Sequence, residues 1–103
     1  MTEKERGEMI VKALAVQKCI DSIDTHNEWI CHINEKLEKL DVMKIHYIKI
    51  WGHTEEEGDT NVEIPLSKEE EVIELIKEKL EKGIQWHKNS IYGEYEKLNE
   101  LLK

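Results

Sequence analysis

At 103 residues the chain is sized for one domain, and its 39% apolar and 37% charged residues exclude a low-complexity or disordered class only because the apolar ones recur periodically. The net charge of −8 comes from 23 acidic against 15 basic residues, of which Arg6 is the sole arginine. Direct nucleic-acid binding is thereby excluded, and a protein partner with a basic surface is expected instead. No apolar run approaches membrane-spanning length, and the opening "MTEKERGE" lacks the core of a signal peptide, so no membrane contact and a cytoplasmic location are expected.

From Glu3 to about Leu40 apolar residues recur at steps of three and four, which predicts a helical arm. Its stripe is read as Ile10, Ala13, Ile20, Ile23, Ile30, Ile33, Leu37 and Leu40. Within it, "SIDTHNE" offers Asp24 or Thr25 as the cap of a new helix with Glu28 in its first turn, so a break is expected near Asp24. Cys19 and Cys31 would stand about 18 Å apart on a straight helix, too far for a disulfide. Both are read as free thiols buried like small hydrophobes, which suits a cytosolic setting.

The rhythm then drops to period two. Strands are predicted at about 43–51 and 61–66, joined by a nine-residue loop over Gly52–Thr60. "VEIPL" alternates cleanly, whereas in "MKIHYIKI" Ile45 and Tyr47 oppose Ile48 and Ile50, so either a bulge near Tyr47 switches the face or both faces are covered. A register pairing Ile50 with Val62 and Ile48 with Ile64 sets Lys49 against Glu63, a favourable cross-strand pair. The hairpin is expected to reverse the chain and give the helices an apolar face to pack on.

Pro65 suits an edge strand, and "SKEE" at 67–70 reads as a capping box opening the second arm. Its stripe is Ile73, Ile76, Leu80, Ile84, His87, Ile91, Leu98 and Leu101, with a second break expected where "EKGIQ" places Gly83 as a terminating glycine. Packed antiparallel, the arms would set Asp24 opposite Gly83, Ala13 and Ala15 against Tyr92, Gly93 and Tyr95, and His87 against Ile20. The two breaks then form one joint, and two bent arms or four shorter helices both satisfy the pattern. The fold class is α+β, mostly helical: arm, hairpin, arm. A core this thin calls for self-association, as a dimer or higher oligomer.

No nucleophile–base pair, phosphate-binding loop or metal constellation can be assembled, so no enzyme, cofactor or catalytic residue is expected. Glu28, His32 and Glu35 share a helix face, yet read as an exposed histidine among solvated charges. His26 is read as a neighbour of the expected helix cap, and His87 as a partly buried stripe residue. Trp29 and Trp51 fall off the stripes and are read as interface residues, while Trp86 suits core and interface equally. The run "TEEEGD" gathers Glu55, Glu56, Glu57 and Asp59 beside His53 at the hairpin end. His53, Glu55, Glu56, Glu57, Asp59, Trp51 and Trp29 are therefore the candidate partner-binding residues.

Helix–hairpin–helix with nearly equal arms resembles the layout of prefoldin beta-type chaperone subunits, which implies a coiled-coil chaperone or structural role. A small acidic Lys/Glu/Ile-rich chain closing on "VEIPLSKEEEVIELIKEKLEKGI" is similar in general type to accessory proteins of phages and mobile elements, anti-CRISPR proteins among them. That likeness implies a non-enzymatic anti-defence inhibitor, acting in the host cytoplasm by occluding its partner. An oligomeric sponge that sequesters a nucleotide signal between Trp, Tyr and Lys side chains is the further alternative.

Overall fold

A computed structural model describes residues 1–66 and 69–103, with Glu69 and Glu70 by backbone alone. The element order is α1 (Glu3–Val42), β1 (Tyr47–Thr54), β2 (Gly58–Pro65) and α2 (Glu69–Leu101). The arm–hairpin–arm layout expected from the sequence is the observed one. The capping box at Ser67–Glu70 lies outside the described residues.

α1 begins where it does because Thr2 caps it. The Glu5 backbone N–H donates to Thr2 Oγ1 at 3.2 Å, and Glu3 and Glu5 place negative charge at the positive end of the helix dipole. It ends at Val42 because Met43 turns extended, with the Met43 N–H closing onto the Lys39 carbonyl. Between these ends the helix is continuous over 40 residues, so the break expected near Asp24 is absent. The Thr25 hydroxyl explains why: it donates back to the Asp21 carbonyl at 2.9 Å instead of capping a new helix.

α2 likewise runs unbroken through Gly83, which keeps a helical backbone. A Cβ built at Gly83 would meet Ile33 Cδ1 at 3.4 Å, an ordinary contact distance, so Gly83 sits on the seam inside the helix rather than ending it. Gly83 thus faces Ile33, not Asp24, and His87 faces His26, not Ile20. The arms are therefore slid by about two turns from the expected register. Two continuous helices are the outcome, so the four shorter helices do not form.

The seam follows a heptad. Val16, Cys19, Ile23, His26, Ile30, Ile33, Leu37 and Leu40 are buried or half-buried at steps of three and four, with Ala15 and Ser22 half-buried beside that line. Ile10, Ala13 and Ile20, assigned to the stripe from sequence, are exposed instead. Ile20 is one position out of phase with Cys19, and Leu101, the last residue of α2, lines a groove with Val11 and Ala15, so α2 ends before it can cover Ile10. Tyr92 and Tyr95 also point to solvent rather than against Ala13 and Ala15. At the other end Lys77 Nζ reaches Asp41 at 2.6 Å and ties the arms beside the hairpin.

The hairpin pairs in the expected register, with Ile48 opposite Ile64, Lys49 opposite Glu63 and Ile50 opposite Val62. No bulge interrupts it, because the ladder starts at Tyr47 and leaves Ile45 outside. The strands run further than the sequence suggested, so the nine-residue loop shrinks to the turn Glu55–Glu57. Gly58 closes that turn at φ 70°, a region favouring glycine, and the Glu57 N–H donates to Thr54 Oγ1 at 3.0 Å. One expectation is overturned. Among the described residues neither strand packs on either helix, so the hairpin projects from the coiled coil instead of roofing it. The molecule measures 70 × 36 × 15 Å, and its radius of gyration of 21.5 Å far exceeds the ~13 Å of a compact chain this long.

Candidate functional site

The hairpin tip collects most of the residues singled out from sequence. Glu55, Glu56 and Glu57 form the turn itself and are exposed, since among the described residues no other element approaches it. Directly below, His53 and Asp59 are cross-strand partners, with Nδ1 and Oδ1 3.1 Å apart on the hairpin surface. Trp51 is mid-strand opposite Asn61, not at the strand end, and is 68% exposed. Lys49 lies over its ring at 5.2 Å while bonding Glu63 at 3.4 Å. Alternation puts Tyr47, Lys49, Trp51 and His53 on one face. That face is amphipathic, with its charges paired within the hairpin. The tip beyond it carries unpaired carboxylates among the described residues.

Trp29 does not join them. It stands on α1, half exposed, stacked against the His87 ring at 6.2 Å with 4° between the planes. There it belongs to a cluster that sequence reasoning missed. His26 and His87 meet across the seam with their Nδ1 atoms 2.7 Å apart, and Trp86 sets its edge against both rings. His26 is therefore a seam residue and not the neighbour of a cap. Its place four and three residues from Ile30 and Ile23 was the signal that would have found it. Burial, then the neighbouring His26, lowers the His87 pKa below that of an ordinary histidine.

At the far end a groove of about 820 Å³ opens between the helices beside Ala15, Cys19, Gly93 and Glu94. Burial, then the Glu94 carboxylate, raises the Cys19 thiol pKa. Glu94 in turn, beside the Cys19 thiol and 3.3 Å from Lys97 Nζ, has its carboxyl held below its ordinary range. Cys31, expected to be buried, is exposed because it falls outside the heptad seam. His32 lies 3.9 Å from Glu35 in the open, and Glu28 does not join them. Among the described residues no helix is long and apolar enough to cross a membrane. No protein-family model, curated protein or solved structure matches the chain.

Proposed function

We propose that the protein is a non-catalytic binding protein that occludes a basic-surfaced protein partner with its hairpin, in the manner of an anti-defence inhibitor, and that it works as an oligomer. The observation that carries this reading is the projection of the hairpin. A two-stranded sheet held clear of its coiled coil, tipped by Glu55, Glu56 and Glu57, has no role in packing the arms. Its charge is of the sign that steers association with a basic surface. The paired helices behind it, α1 alone 40 residues long, supply the bulk that blocks access.

The test compares immobilised wild-type protein with the Glu55→Lys/Glu56→Lys/Glu57→Lys variant in host lysate at low and high salt. A basic protein retained by the wild type at low salt and lost by the variant supports the reading. Identical retained sets overturn it.

A coiled-coil chaperone is the second reading, favoured by one feature. Met9, Ile10, Val11 and Leu14 are all more than half exposed on the first turns of α1, about where α2 has ended. Suppression of the aggregation of an unfolded client, lost on changing Met9, Val11 and Leu14 to Ser, would select this reading.

A further inference from the structure

The two faces of the hairpin differ sharply in chemistry. The face opposite Trp51 is built from Ile48, Ile50, Val62 and Ile64, with Gly52, Thr54, Gly58 and Thr60 towards the tip. It holds no titratable side chain in a chain of net charge −8. Ile50 is 53% exposed and Val62 59%, because among the described residues no helix covers them. A lone two-stranded hairpin is marginal in water, so a face of four β-branched side chains needs a cover to hold its strands.

The accessible surface of the whole chain leaves room for such a cover. It totals 8812 Å². A folded monomer of 12.2 kDa exposes about 6,100 Å². The excess of roughly 2,700 Å² is slightly above the ~1,000–2,500 Å² that each partner covers in an obligate assembly. Strong acidity opposes close approach of two copies everywhere except at an uncharged patch, and this face is one.

We infer that the Ile48–Ile50–Val62–Ile64 face is the nucleus of a two-fold interface with a second copy of this chain. Two such hairpins stack as a small sandwich, with the sheets about 10 Å apart and the aliphatic side chains interdigitated. A two-fold axis between the sheets and across the strands sends the two acidic tips in opposite directions. Each tip then stays free for a partner, and the like charges stay apart. The inference rests on the self-association part of the reading above and assigns it a surface.

Light scattering at micromolar concentration tests it on the wild type, on Ile50→Lys/Val62→Lys, and on Asn61→Lys as a control on the opposite face. The expected result is a dimer or larger for wild type and control, and the monomer mass with intact helical circular dichroism for the double variant. Ile50→Thr/Val62→Thr keeps β-branched residues in the strands and removes apolar area. It should weaken dimerisation at least about tenfold, even if the lysine variant fails to fold. A monomeric wild type overturns both the self-association and this assignment. An oligomer unaffected by the threonine pair overturns the assignment alone and sends the interface elsewhere.

Discussion

His26 and His87, 61 residues apart in sequence, share one hydrogen bond across the helical seam. One Nδ1–H donates to the other ring's Nδ1, so the contact requires that at least one ring be neutral. Trp29 and Trp86 pack around the pair and keep it partly from water.

Stability should therefore fall on mild acidification. His87 is harder to protonate in the fold than the ordinary histidine value of 6.5. Protons then favour the unfolded chain as pH drops below that value, and the loss levels off once His87 protonates in the fold. Glu94, held below 4.5 first by Cys19 and then by Lys97, loses its contribution only at lower pH, so the two windows separate. Urea unfolding at pH 7.5 and 5.5 should show a lower midpoint at 5.5, and His87→Leu should flatten the difference. A midpoint unchanged with pH in the wild type would contradict this.

Gly83→Ala should stabilise the protein by about 0.5–1 kcal/mol, since the position is mid-helix and the new methyl meets Ile33 at ordinary contact distance. Gly93→Ala, with open space around it, serves as the reference. A Gly83→Ala variant less stable than wild type in chemical denaturation would show that the seam there tolerates no added atom.

Gly58→Ala should act locally. An alanine at φ 70° is strained by about 1 kcal/mol, yet among the described residues the hairpin touches neither helix. Hydrogen exchange should speed up at the amides of Tyr47–Pro65, while the helical amides and the thermal midpoint stay as they were. Loss of helix protection in the same experiment would mean that hairpin and arms fold as one unit.

The two thiols should react at different rates. Cys31 is exposed, whereas Cys19 is 6% exposed with a pKa raised by burial and by Glu94. An aromatic disulfide reagent at neutral pH should release one equivalent quickly and the second only slowly, with Cys31→Ser removing the fast phase. Two equal phases would place Cys19 outside the seam.

Local pattern alone determined the order arm–hairpin–arm and the pairing of Ile48, Lys49 and Ile50 with Ile64, Glu63 and Val62. It also gathered His53, Glu55, Glu56, Glu57 and Asp59 at one end. Each of these depends on residues near in the chain, where alternation, a glycine turn and opposite charges leave one satisfactory register. Tertiary structure decided the rest. A helical seam accepts several slides at little local cost, so only packing could put His26 against His87 and Ile33 against Gly83. The same packing carried the helices straight through Asp24 and Gly83 and left Trp29 on the arms, away from the tip. It also left the hairpin without a helix to rest on. No local pattern encodes that, because alternation marks which strand face is apolar but not what comes to cover it.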